Sequence, residues 1–458
     1  MQVRFLLRAL ERLIMLKSIL KKIIPKKIFD FYYQSLALLA AFFYNQPSQK
    51  MIVIGITGTA GKSTVVNLVG RILEKAGYQC GWATTFNFKV GLREWINKTK
   101  MTMLGRFTLQ KMLKQMLAAG SKYAIIETSS EGIIQSRHLG INYDVAVFTN
   151  LSPEHIESHG GFDKYRQAKQ KLFQNLTKKH KQINGQTIKK VIIANLDDEN
   201  VEHFLKFPAD EKYGYSTNSK SETLNSKQIQ NQKLQIIKAE NIVADQNGSR
   251  FIINNLQFTI PLSGEFNVYN SLAAICVAMS QGVSLEICQK ALEEINLMPG
   301  RMEKIITHPF EVIVDYAHTP ESLEQVYKTL KNSLIGDSKL ICVLGAAGGG
   351  RDKWKRPKLG ELAEKYCDHI IITNEDPYNE NPEKIIDEII FGIKNRNQDK
   401  ILKIIDRREA IKKALSLAQE KDVVVITGKG CEQCIMGQNN TKVFWDDREV
   451  VKEEFKKI

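Results

Sequence analysis

The stretch from Met51 to Thr64, MIVIGITGTAGKST, carries residue types that phosphate chemistry needs, at close spacing. Gly55, Gly58 and Gly61 let backbone approach an anion without Cβ clashes. Lys62 reaches outer phosphates, backbone N–H groups of Gly58, Thr59 and Gly61 face them, and a hydroxyl of Ser63 or Thr64 suits Mg²⁺. The strict form of this loop motif asks for glycine at position 56, where the chain has Ile56, so the loop is a variant. Further on, Glu127 in KYAIIETSSEG and His155, Glu157 and His159 in TNLSPEHIESHGGF offer carboxylate and imidazole donors for a divalent cation.

Those groups act together only if the chain gathers them. Ile52-Val53-Ile54, Ala124-Ile125-Ile126 and Val145 to Phe148 are apolar runs suited to buried parallel strands, and Val65, Val66, Leu68, Val69 and Ile72 give the apolar face of a helix after the loop. Open parallel sheets bind ligands beyond the carboxyl ends of their strands, which is where each polar motif falls. A glycine turn without nucleotide and a pair of surface histidines are the plain alternatives; the shared strand-end placement favours the functional reading.

The chain has 458 residues, enough for two or three domains. With 43% hydrophobic and 25% charged residues it has the composition of a globular protein. The net charge of +15 invites a nucleic-acid reading, but the lysines are scattered and no aromatic-interleaved RNA motif accompanies them, so no nucleic-acid partner is expected. Seven cysteines, spread from Cys80 to Cys434, do not form a disulfide framework and point to a reducing cytoplasm. Cys431 and Cys434 make a solitary CxxC, for which no metal is expected.

Residues 1–48 are basic and apolar, with Leu6, Leu10, Leu13 and Ile14, then Leu20, Ile23 and Ile24, at helical spacing, followed by an apolar piece from Phe29 to Tyr44. The runs are too short and interrupted for a membrane span. Two readings stand: a helical hairpin packed on the body, or an amphipathic anchor, residues 1–46, on the inner face of the membrane. Between about 176 and 262 the chain is rich in Lys, Asn and Gln, reads as sheet-edge structure with long loops, and its charges near Lys178 to Lys190 read as a solvated face. Beyond Pro299-Gly300, apolar runs at Val312 to Val314, Leu340 to Leu344, Ile370 to Thr373, Ile401 to Ile405 and Val423 to Ile426 alternate with helical stretches. The expected class is α/β: a doubly wound nucleotide-binding sheet over 49–298 and a second Rossmann-like sheet over 299–458, after a helical segment at 1–48.

GITGTAGKST, ETSSEG, SPEHIESHG and FDKYRQAKQKLF, followed by GEFNVYNSLAA, MPGRME, VDYAHTP, GGGRDKWKRP and GKGCE, resemble the Mur ligases in content and order, over roughly residues 50–450. The MurE type, which adds the third residue of the peptidoglycan stem peptide, is the most similar. The resemblance implies an ATP-dependent ligase that activates a carboxylate as an acyl phosphate and joins it to an amine, two steps that crowd negative charge and need cations to neutralise it. Lys62, Lys169, His155 and Arg301 would carry the catalysis. Ser63, Glu127 and His155 would hold Mg²⁺, and Lys169 would become a CO₂-derived carbamate, whose oxygens attract a second ion. Without the family motif, Lys169 would read as a solvated helix lysine. Asn267, Asn270, Arg301, Asp315 and His318 would meet ATP along with the glycine loop.

The same resemblance places Thr102, Ser129, Gln135 and Arg137 at the UDP-muramoyl-dipeptide, and Arg351, Asp376 and Glu432 at the free amino acid. Three departures qualify it. Thr102-Met103-Leu104 replaces a Thr-Thr-Pro, and only 48 residues precede the loop where MurE-type proteins usually carry a UDP-binding domain, so UDP is gripped differently or the acceptor is another one. Glu375-Asp376-Pro377-Tyr378 stands where diaminopimelate-selective enzymes have Asp-Asn-Pro-Arg, which favours lysine or another amino acid. The expectation is a monomeric cytoplasmic ligase. Its rivals are a folylpolyglutamate-synthase-like ligase with another acceptor and a non-catalytic nucleotide-binding scaffold at the membrane. GAAGGGRDKWKRP lacks the spacing of a dinucleotide loop.

Overall fold

The computed structural model describes residues 26–176, 180–217, 234–245, 247–295, 298–394 and 400–458. The periodic pattern from Leu6 to Ile24 lies outside them, as do Lys178 and Lys179. The first described element is helix α1, Lys26–Phe43. Strand β1, Ile52–Thr57, follows; all six residues are buried, as its unbroken apolar run requires. The glycine loop then opens helix α2, Lys62–Lys75, whose Val65, Val66, Leu68, Val69, Ile72 and Leu73 face the sheet.

Between α2 and the second predicted strand the chain forms three strands that the sequence pattern did not separate: β2 Cys80–Ala83, β3 Asn87–Val90 and β4 Arg93–Ile96. β2 pairs in parallel with the central sheet, while β3 and β4 form an antiparallel hairpin at its edge. Helix α3, Arg106–Ala118, leads into β5, Tyr123–Glu127, and then β6, Val145–Phe148. Helix α4, Phe162–Leu176, precedes a short ribbon of β7 Gln182–Ile183 and β8 Gln186–Thr187, then β9 Val191–Asn195, β10 Glu211–Ser216 and β11 Leu234–Lys238. The sheet order is β11-β10-β9-β6-β1-β5-β2-β3-β4. β1 lies between β6 and β5 with parallel register on both sides, so the glycine loop sits at the strand-order switch, where such sheets bind ligands. β12 Glu240–Asp245, β13 Gly248–Ile253 and β14 Leu256–Ile260 form a separate antiparallel sheet, after which helix α5, Glu265–Ser280, packs against α2.

The second sheet has β15 Glu303–Ile306, β16 Glu311–Asp315, β17 Leu340–Leu344, β18 His369–Ile372, β19 Ile401–Lys403 and β20 Val423–Thr427, in the order β15-β16-β20-β17-β18-β19. β15 is antiparallel and the rest are parallel. Apolar cores cover both faces of each sheet.

The solvated-face reading of the lysines between 178 and 190 is corrected for two of them. Lys181 and Lys190 are buried and both pair with the fully buried Asp144, at 2.6 and 3.1 Å. Asp144 also accepts from Val53 N at 2.8 Å, so one carboxylate at the start of β6 ties β1 to the approach of β9. Burial of three charges is sustained because each finds a partner. Lys189 has the expected exposure.

Candidate active site

The carboxyl ends of the two sheets face each other across a cavity of about 710 Å³. On the first side, backbone geometry shapes the loop. Gly58 has φ of +156° and a Cβ there would lie 1.9 Å from Thr149 Oγ1; Gly61, at φ +79°, would meet Asn270 Oδ1 at 2.2 Å. Only glycine fits either place. Asn150 braces the loop, its carbonyl accepting from Thr59 N at 2.9 Å and its side chain from Ala60 N at 2.8 Å. Lys62 Nζ donates to Thr59 O at 2.7 Å, and Lys169 Nζ, from α4, donates to Gly58 O at 2.6 Å. Two ammonium groups thus converge on one loop. Burial pushes both below the ordinary lysine range, Lys169 furthest, with Lys62 adding repulsion.

Glu127, at the end of β5, receives Ser63 Oγ at 2.6 Å and Thr85 N and Oγ1 at 2.7 and 2.9 Å. Thr64, next along α2, lines the same cavity. His155 has φ of +57° at the start of a short turn of helix, and burial followed by the charges of Lys355 and Lys169 lowers its imidazole to about 2. It is a neutral ring, as a metal ligand must be. His159 is buried with neither ring nitrogen partnered and does not line the cavity, while Glu157 turns away to accept from Lys353 N at 2.8 Å. Of that trio only His155 enters the site.

Asn267 and Asn270 line the cavity from inside α5 rather than capping it; Asn267 Nδ2 donates to Ser263 O at 2.8 Å and Asn270 Nδ2 to Asn267 Oδ1 at 3.0 Å. Thr102 is held by Thr85 Oγ1 at 3.1 Å. Ser129 caps the helical turn that follows, accepting from Gly132 N at 3.2 Å. Arg137 lines the cavity, one arm on Met103 O, the other on Gln135 Oε1 at 2.7 Å, with its Nε buried and unpartnered. Gln135 does not line the cavity; it positions Arg137 from behind.

From the second sheet come Arg301, stacked 4.7 Å from the Tyr316 ring, and Asp315, whose oxygens accept from Met302 N and Ala317 N at 2.7 and 2.6 Å. Burial raises Asp315 above the usual carboxylate range. His318 Nδ1 meets Tyr316 O at 2.9 Å, which leaves Nε2 as the acceptor; burial and nearby Lys355 lower it to about 3. Arg351 lies 6.0 Å from the Tyr378 ring.

Several residues that shape the joint escaped the sequence reading. Lys100, from the loop after β4, reaches Asp376 at 2.6 Å and Glu432 at 2.8 Å, and Lys429 reaches the same two at 2.8 and 2.7 Å. Lys355 pairs with Glu154 at 3.0 Å, both side chains nearly fully buried, and Asp352 accepts from Ile156 N and Glu157 N at 3.0 Å each. Lys355, Lys429 and Glu154 lay within quoted motifs, whereas nothing local marks Lys100 or Thr85. Among the described residues no three His, Cys, Asp or Glu side chains form a metal cage, and all seven cysteines are free thiols.

Comparison with known proteins agrees with this architecture. Residues 56–278 match the Mur ligase middle domain and residues 300–430 the Mur ligase glutamate ligase domain. A UDP-N-acetylmuramoyl-L-alanyl-D-glutamate--2,6-diaminopimelate ligase of Bacillus cereus is 36% identical over 92% of this chain and 81% of its own length. A UDP-N-acetylmuramyl-tripeptide synthetase of Roseiflexus is 35% identical over 90% of this chain and 80% of its own. A solved diaminopimelate ligase structure superposes with a TM-score of 0.57 at 31% identity, covering 89% of this chain and 79% of that one. Identity at this level over nine-tenths of the chain, with both domain matches, means that the chain belongs to the Mur ligase family, ATP-dependent ligases that form carbon–nitrogen bonds, and within it stands with the MurE type.

Proposed function

We propose that this ligase joins an amino acid to UDP-N-acetylmuramoyl-L-alanyl-D-glutamate through an acyl phosphate, with ADP and phosphate released. The observation that carries the reading is one cavity lined at once by the phosphate loop, Glu127, His155 and Lys169 and by Arg301, Asp315, His318 and Arg351 from the opposite sheet. Residues 49–298 hold ATP and the acceptor in this reading, and 299–458 the amino acid.

The residues present fit ATP and Mg²⁺. Gly58 and Gly61 form a cradle that any Cβ would fill, and Ser63 Oγ, Glu127 and neutral His155 are hard or borderline donors. When bound, Mg²⁺ neutralises charge on the phosphoryl oxygens. Lys62, which rests on Thr59 O, would reach the outer phosphates, with Arg301 and His318 lining the cavity from the facing sheet. Asp315 anchors its own loop through Met302 N and Ala317 N while lining the nucleotide side. Ser129, Thr102 and Arg137, steadied by Gln135, hold the acceptor, Arg137 through a carboxylate or the carbonyls beside it.

Lys169 is suited to carbamylation. Buried and beside Lys62, it is biased to the neutral amine, the form that attacks CO₂. A new N–C bond to CO₂ would form as the nitrogen loses a proton, the remaining N–H could keep its bond to Gly58 O, and the carbamate oxygens would supply anionic donors for a divalent ion.

For the amino acid, Tyr378 in place of arginine disfavours a second carboxylate and so favours lysine or another non-diaminopimelate residue. The amino-acid-binding role expected of Asp376 and Glu432 requires Lys100 to yield, because both carboxylates already hold Lys100 and Lys429. A diaminopimelate reading draws on the relatives' names and on Lys100 as a cation for the distal carboxylate. Purified protein with Mg-ATP, UDP-N-acetylmuramoyl-L-alanyl-D-glutamate and a panel of lysine, meso-diaminopimelate and neutral amino acids tests this by phosphate release and product mass. A tripeptide formed fastest with lysine is expected. Fastest product with diaminopimelate overturns the amino-acid assignment, and no product with any amino acid overturns the acceptor.

A further inference from the structure

Helix α1 is built the opposite way round from an ordinary surface helix. Its small residues face the protein: Ala37, Ala40 and Ala41 are buried, and at Gly140 a Cβ would come within 2.8 Å of Ala41 Cβ, so the helix lies close on the body. Its large apolar side chains face out. Ile28, Phe31, Leu38, Leu39, Phe42 and Phe43 are between 55% and 73% exposed. Spaced three and four apart, they fall within one stripe about 140° wide at 100° per residue. Phe107 of α3, in edge contact with Phe43 at 6.4 Å and itself exposed, extends the patch. Soluble monomers rarely present a contiguous apolar face of this kind without a partner for it.

Charge identifies the partner. The 27 residues ending at Lys27 contain Arg4, Arg8, Arg12, Lys17, Lys21, Lys22, Lys26 and Lys27 against a single acidic residue, Glu11. A second copy would bring two such cationic segments together, whereas anionic lipid headgroups would neutralise them. No helix among the described residues is long and apolar enough to cross a membrane, so the stripe would lie on the surface. We propose that α1 docks this ligase on a bilayer containing anionic lipid, its apolar stripe at the headgroup–acyl boundary and the cationic charge of the sequence before it favouring an anionic surface.

The inner side of α1 reaches the candidate acceptor site. Arg106 lies 4.3 Å from the Tyr33 ring, donates to Tyr33 O at 3.2 Å, and also donates to Gln135 O, next to the side chain that holds Arg137. The docked helix and the acceptor loop thus share one arginine, which places the chemistry at the membrane surface.

The test is cosedimentation of the full chain with phosphatidylcholine vesicles and with vesicles containing 30% phosphatidylglycerol, at low and high salt. Binding to the anionic vesicles, at least tenfold weaker to neutral ones and released by salt, is expected. The triple variant Phe31→Asp, Leu39→Asp, Phe42→Asp should lose at least tenfold of that binding while its rate of ATP hydrolysis in solution stays that of the wild type. Wild type left in the supernatant, equal binding to neutral vesicles, or undiminished binding by the triple variant would each overturn the proposal. So would a dimer that the triple substitution dissociates, since the stripe would then be an interface between copies.

Discussion

At the scale of single residues, the site is governed by burial of groups that carry charge elsewhere. Lys169 looks in sequence like a solvated helix lysine, and its burial behind Gly58 and beside Lys62 is what lowers its amine well below the ordinary lysine range. His318 shows the consequence for pH. Its folded pKa of about 3 lies below the ordinary value, because burial and the charges of Lys355, Arg301 and Lys62 oppose protonation. Above about pH 6.5 neither folded nor unfolded chain protonates this ring and it contributes nothing to pH dependence. As pH falls below that value the unfolded chain binds a proton the folded one refuses, so stability falls with pH. Between pH 6.5 and 5 the wild type should therefore lose about 1–2 kcal/mol more than His318→Asn, read from urea midpoints in the absence of nucleotide. Parallel pH profiles for the two proteins would remove His318 from this role.

At the scale of elements, the two devices that matter are a glycine loop at a strand switch and a helix laid flat on small residues. Gly140, at φ +79°, has Ala41 Cβ and Ala37 O within 2.9 Å of where a Cβ would stand. Gly140→Ala adds left-handed strain of about 1–2 kcal/mol and a clash with α1. Since α1 sits at the margin of the fold, the expected result is faster amide exchange confined to residues 26–43, with the exchange of β1 and β5 unchanged. Exchange that rises uniformly would show α1 to be part of the global folding unit.

At the scale of the molecule, the two sheets meet at a joint held by buried charge. The Lys355–Glu154 pair, the Asp352 carboxylate on Ile156 N and Glu157 N, and the Lys100 bridge all cross it. Removing one member of a buried pair leaves the other uncompensated, a cost of about 3 kcal/mol. Lys355→Ala should therefore populate an open arrangement, seen as a larger radius of gyration in solution scattering without ligands, and a nucleotide analogue with acceptor should bring it back toward that of the wild type. Identical radii for variant and wild type would mean that this pair does not hold the joint.

What the sequence determined by itself is what local pattern encodes. Apolar runs as long as Ile52-Val53-Ile54 and Val423 to Ile426 are buried wherever they fold, and glycine spacing before Lys62 states its own backbone demand, so both sheets and the phosphate loop were legible. The motif series fixed the family for the same reason: it needs no geometry to be read. The strands β2, β3 and β4 were not legible, because four-residue strands with mixed polarity take their structure from the sheet edge they join. Tertiary structure alone decided that Lys181 and Lys190 leave solvent for Asp144, that Lys100 spans two sheets, and that His155 enters the cavity while His159 and Glu157 do not. Each is a pairing across more than 30 residues or a matter of side-chain direction, and the free energy of a charge depends on the neighbours that burial brings to it, which sequence spacing does not specify.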